Sequence, residues 1–205
     1  MKSLGQPLPL RLHCCLFVAS LLGLGTGCAR PPQSAQRAQD RGCPSDAPAQ
    51  DLPAAVRDSL PPSLYPGRTT EKDQWAHAAR TTPGGFGGLT AQGNERVLYL
   101  VDTSKRKDAV EALLAAGIIR PQDVRTATVR KARWTFAQLY DWYQYLNLHI
   151  TLGEDVTARG IDEGQNRIYY AVRDANEFDK LQGTLKQLHV PCFLVFVDTS
   201  GTVRS

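Results

Sequence analysis

Five cysteines and four histidines are the residues of this 205-residue chain with the most chemistry to offer, so their spacing comes first. His13, His77, His149 and His189 stand far apart, and no pair has the spacing of metal ligands. Cys14, Cys15, Cys28, Cys43 and Cys192 form no C-x-x-C pair. The chain has no G-x-S-x-G elbow and no H-E-x-x-H, and the glycines of "PGGFGG" (83–88) lack the Lys and Ser/Thr of a phosphate loop. Asp102 and Asp198 each stand within a "VDTS" stretch, without the glycine that an aspartic-protease loop requires. Asp162 and Glu163 are neighbours in a turn, where carboxylates are usually solvated. The expectation is a protein that is not an enzyme and holds no metal, cofactor or small-molecule substrate.

The cysteines carry information about compartment instead. Lys2, Arg11 and His13 precede the apolar run 14–24, small residues follow, and Cys28 comes next. A basic start, a short apolar stretch and a small-residue cleavage site describe an export signal over residues 1–27. The run falls short of the about 20 apolar residues of a membrane-spanning helix. "LGTGC" (24–28) resembles a bacterial lipoprotein signal, which implies lipidation of Cys28 and an anchor in the envelope. With Cys14 and Cys15 removed and Cys28 modified, Cys43 and Cys192 remain, an even number in an oxidising compartment. A Cys43–Cys192 disulfide is one expectation, and a buried strand thiol at Cys192 is the other. The net charge of +4 is dispersed, and Asp102 and Asp108 bracket the densest basic run, Lys105-Arg106-Lys107. No basic face with a recognisable module is present, so nucleic acid is not an expected partner.

The elements that must position any site begin late in the chain. Residues 28–82 are rich in Pro, Ala, Gln and Ser and poor in apolar groups, and read as a disordered tether ending at a folded module, 83–205. In the module, 86–90 and 96–101 read as strands joined through Gly93-Asn94. A helix follows with Ser104 as N-cap and Gly117 as its stop, and 123–132 reads as a strand. Thr135 and Gln138 make a capping-box pattern for a helix whose Phe136, Leu139, Tyr140, Tyr143, Leu146 and Ile150 share one face. Asp162, Gly164 and Asn166 are turn formers within a hairpin, "VTARGIDEGQNRIYYAV" (156–172). Asp174 opens a last helix, and "CFLVFVD" (192–198) is an apolar strand. From Asp123 the order is β-α-β-β-α-β, the ferredoxin-like pattern, so the predicted class is α+β: an antiparallel sheet with helices packed on one face. On the 135–150 helix Trp142 borders the apolar stripe and Tyr145 lies nearly opposite it, which makes the pair a candidate partner surface.

The order of residues from 84 to 172 is similar to the prodomains of bacterial chymotrypsin-fold serine proteases of the α-lytic and streptogrisin type. The likeness rests on "GGLTAQGNERVLYLVD", a helix ending "AAGI", "VRTATVRKARWTFAQLYDWY", and the hairpin motif Gly160, Ile161, Asp162, Asn166, Arg167 and Ile168. The chain departs from that pattern at Arg159-Gly160, where those prodomains often carry an aromatic pair. The resemblance implies an inhibitor or folding assistant acting in trans on a secreted serine protease. It would use a sheet edge by strand addition, and a tail formed by Thr199, Ser200, Gly201, Thr202, Val203, Arg204 and Ser205. The alternative expectation is an envelope structural or adaptor lipoprotein that binds another envelope component.

Overall fold

In a computed structural model the described residues are Asp40, 42–65, 67–93, 95–153 and 156–199. They contain six strands and six α-helices: α1 (Ala54–Arg57), α2 (Glu71–Ala79), β1 (Phe86–Gln92), β2 (Glu95–Leu100), α3 (Arg106–Ala115), α4 (Pro121–Thr126), β3 (Ala127–Lys131), α5 (Phe136–His149), β4 (Val156–Asp162), β5 (Arg167–Val172), α6 (Ala175–Gln187) and β6 (Val195–Asp198). None of the described helices is long and apolar enough to cross a membrane. The class is α+β.

The strands fall into two three-stranded sheets, ordered β1-β2-β3 and β4-β5-β6. In each, a hairpin supplies an antiparallel pair and the third strand lies parallel to the second. The chain thus runs twice through hairpin, helix and parallel strand, with α5 between the two passes. This corrects the single antiparallel sheet that the order β-α-β-β-α-β suggested. Strand order along the chain does not specify strand partners, and a parallel partner must come from across a helix. The first "VDTS" follows β2, a central strand, whereas Val197 and Asp198 of the second close β6, an outer strand, so they are not equivalent positions.

Local signals explain most of the elements. Thr135 and Gln138 form the expected capping box on α5. Gly117 turns the chain after α3 with φ of 70°, a conformation that costs glycine nothing. Asp102 caps the short 3-10 turn Thr103–Lys105 that leads into α3, accepting from the Ser104 amide, and Lys105 rather than Ser104 stands at the N-cap of α3. Residues 121–126 correct the expectation of a strand from 123. Pro121 sits in the first turn of α4, where its missing N–H costs nothing, and Asp123 caps the Arg120 amide.

The larger correction concerns the expected tether: its described residues from Asp40 to Thr82 pack on the module instead of hanging free, while 28–39 lie outside the described residues. Arg133 donates to the Ser45 and Ala47 carbonyls, the Trp142 indole to that of Gln50, and Gln144 to that of Pro61. Leu52 is buried, as are Ala76, Ala78 and Ala79 of α2. Trp75 packs edge-on against Phe86 and Phe136. Arg80, after α2, forms a bidentate pair with Asp141 of α5. Residues 43–65 therefore form a strap across α5. A polar, proline-rich segment needs few apolar groups to dock when its backbone carbonyls satisfy side chains of the surface beneath it.

Asp73 anchors the end of that strap. It accepts hydrogen bonds from Tyr140, Thr70 and Ser63. Burial alone would raise its pKa, but these bonds outweigh burial and hold the carboxyl below its ordinary value, while burial and then Asp73 push the Tyr140 phenol up. A carboxylate with a lowered folded pKa stabilises the fold above its unfolded value of about 4, and that contribution fades as pH falls through the folded pKa. Asp73→Asn should cost on the order of 2 kcal/mol at pH 7, and its deficit against wild type should shrink below about pH 4. Urea titrations at several pH values check this, and a deficit independent of pH would contradict it.

Candidate interaction surface

The two sheets meet at a seam built by the hairpin turn. Asn166 has φ of 54°, unusual for a residue with a side chain, and is buried. Its Oδ1 accepts from the amides of Arg133 and Trp134 at 2.8 and 2.7 Å. Its Nδ2 donates to the carbonyls of Gly87 and Trp134 at 3.1 and 2.9 Å. One side chain thus joins β1, the linker after β3, and the β4–β5 turn. Gly87 permits this approach, because a Cβ there would lie 2.6 Å from that of Ala132 and 2.9 Å from the Trp134 carbonyl.

The other residues of the hairpin motif have equally definite places. Asp162 accepts from the Gln165 amide and side chain and closes the turn. Ile161 and Ile168 lie in the core. Arg167 is buried: its Nε donates to the Phe193 carbonyl and its terminal nitrogens pair with Asp40 at 2.7 and 3.2 Å. Beside that pair Cys43 and Cys192 form a disulfide, with Cα atoms 5.7 Å apart. The Arg133 guanidinium lies 4.2 Å from the centre of the Phe193 ring. Most of the motif therefore serves architecture, and Gly160 is the member left with open space where a Cβ would stand.

That open space belongs to a groove. β1 and β4 are each an outer strand of their sheet, as β3 and β6 are on the other sides. Beyond the seam, Thr90, Ala91 and Gln92 of β1 face Ala158 to Asp162 of β4 across a groove of about 550 Å³. Among the described residues no strand pairs with the outer edge of β4. The Thr90 hydroxyl, on the groove wall, is buried and makes no hydrogen bond. A strand edge, an orphaned hydroxyl and a glycine that leaves the floor clear can accept an extended polypeptide.

The candidate surface on α5 changes character. Trp142 is only 4% exposed beneath the strap, so it is removed from any partner surface. Tyr145 is half-buried, edge-on to Trp142 and to His149. The helix periodicity put Trp142 at the edge of the apolar stripe and Tyr145 nearly opposite it, whereas Tyr145 is half-buried and packs against the core, and the period carried no sign of the strap. Of the candidate tail only Thr199 is described, and it is exposed; Ser200 to Ser205 and Cys28 lie outside the described residues. Thr90 and Arg159 line clefts that sequence reasoning missed, because the two strands flanking the groove are some 70 residues apart and share no local signal. Among the described residues no cluster of three His, Cys, Asp or Glu side chains could hold a metal ion. No protein family, curated protein or solved structure matches the chain.

Proposed function

We propose that this is an exported, non-enzymatic protein, anchored through a lipidated Cys28, that binds an extended segment of a secreted serine protease and so inhibits it or assists its folding. The observation that carries the reading is the groove between the outer strands β1 and β4, with the Thr90 hydroxyl in its wall and Gly160 leaving it open. An edge strand left uncovered is a liability that proteins usually block with charge, proline or a covering element. A partner strand added along β4 would satisfy its outward backbone groups, and side-chain contacts at alternate residues would set specificity. The protease as partner comes from the resemblance of residues 84–172 to prodomains.

The test titrates the full chain against serine proteases secreted by the same organism while following substrate cleavage. Gly160→Arg is the decisive variant. A Cβ at 160 meets nothing within 4 Å, so the substitution leaves the fold intact while its side chain fills the groove. The expected result is saturable inhibition by wild type, weakened at least ~10-fold in Gly160→Arg with an unchanged melting temperature; tenfold corresponds to about 1.4 kcal/mol of binding. Wild type that neither inhibits nor helps refold any of these proteases would overturn the reading in favour of an envelope adaptor.

A further inference from the structure

Three large apolar side chains are exposed among the described residues: Tyr65 at 60%, Leu148 at 63% and Leu152 at 48%. All three line one cleft of about 380 Å³ between the strap, the C-terminal end of α5 and β4. Scattered exposed apolar residues are ordinary, but three gathered on one concavity are a binding feature. The volume lies at the small end of ligand clefts, enough for one side chain and its backbone rather than a large cofactor.

The polar groups of this cleft are specific. Arg159 is its one charged lining residue, and no carboxylate pairs with it among the described residues; a terminal nitrogen donates to the Ile150 carbonyl at the end of α5. Asn147, also in the lining, has its Oδ1 buried without a hydrogen-bond partner. Tyr170 stands opposite Arg159 in the β4–β5 ladder and is fully buried, and its hydroxyl likewise has no partner. Burial above all holds the Tyr170 phenol above its ordinary pKa; Arg159 opposes that shift and Tyr143 adds to it, and both of these line the cleft. Buried polar atoms are normally paired, and an orphaned amide oxygen in the same lining as an uncompensated cation marks a place built for a polar ligand group.

We infer that this cleft binds the C-terminal residue of a partner polypeptide, with its carboxylate on Arg159, its backbone amide on Asn147 and an apolar side chain against Tyr65, Leu148 and Leu152. A guanidinium suits a carboxylate by charge and by its fork of donors. The Asn147 oxygen requires a donor, which a peptide terminus supplies and a fatty acid does not. The cleft is distinct from the groove between β1 and β4, although Arg159 borders both. The inference does not depend on a protease as partner.

The test is calorimetric titration of the full chain with a hexapeptide ending in leucine with a free carboxylate, the same peptide amidated at its C-terminus, and decanoate. The free-acid peptide is expected to bind saturably and at least ~10-fold more tightly than the amide, each tenfold being about 1.4 kcal/mol. Two variants locate the site. Arg159→Gln removes the charge, and Leu148→Glu, at an exposed position that the fold does not need, removes apolar surface and repels the carboxylate. Each should weaken the free-acid peptide about tenfold or more, with Leu148→Glu keeping the wild-type melting temperature. Gly160→Arg should leave the peptide bound, which separates this cleft from the strand groove. Absence of saturable binding, equal binding of acid and amide, or unchanged binding in Leu148→Glu would overturn the assignment. Decanoate binding more tightly than the peptide would overturn the peptide terminus as the ligand.

Discussion

Replacing Cys43 and Cys192 together with serine should lower the stability of the chain by about 5 kcal/mol. The bridge closes a loop between residues 149 apart in sequence. Cross-linking so long a loop removes denatured-state entropy worth about 5 kcal/mol at 25 °C on the chain-entropy argument, with native strain able to reduce it. The effect has a local component as well, because the disulfide stands beside the Arg167–Asp40 pair and the Arg133–Phe193 contact that hold the start of the strap. Urea unfolding of the oxidised wild type and the double variant measures the global term. The fluorescence of Trp142, whose indole donates to Gln50 of the strap, reports detachment. A loss under about 1 kcal/mol would mean that strain or residual structure cancels the entropy, and the long-loop argument would fail for this protein.

Asn166→Ala should cost about 5 kcal/mol. The substitution removes four hydrogen bonds and leaves the amides of Arg133 and Trp134 and the carbonyls of Gly87 and Trp134 without their partner. Each such bond is worth about 1 kcal/mol net, and more where the abandoned group stays buried. Alanine would also have to hold φ of 54°, which adds about 1 kcal/mol that asparagine tolerates better. Asn166→Gly separates the two contributions, since glycine accepts the backbone angle but restores none of the bonds. The expected order of stability is wild type, then glycine, then alanine, read from thermal unfolding. A glycine variant as stable as wild type would show that the seam does not rest on this side chain. The double variant Asn166→Gly with Gly87→Ala should add a clash at the same junction, because the Cβ at 87 would sit 2.6 Å from Ala132.

These two sites show how differently parts of the structure were written into the sequence. The hairpin around Asn166 was legible because Asp162, Gly164 and Asn166 are turn formers between two strands of alternating character. What Asn166 does was not legible, since its partners, Gly87 and the 133–134 linker, reach it only through folding. The strap is the opposite case: composition argued against order over 28–82, yet the carbonyls of Ala47, Gln50 and Pro61 meet Arg133, Trp142 and Gln144. The expected strand from 123 failed in a smaller way, because Pro121 opens a short helix there instead.

By itself the sequence determined the interactions that close within one element or one turn: the Thr135–Gln138 capping box, the Gly117 stop, the Asp174 cap of α6 and the 162–167 turn. Those interactions join residues two to four positions apart, so residue type and spacing are sufficient to write them. Only the tertiary structure decided the division into two sheets, the docking of the strap and the clefts on either side of β4. Each of these depends on groups brought together over long stretches of chain, as Trp142 and Gln50 are across 92 residues. Such contacts are fixed by which surfaces bury one another and which polar atoms must then be satisfied, and no local period records that choice.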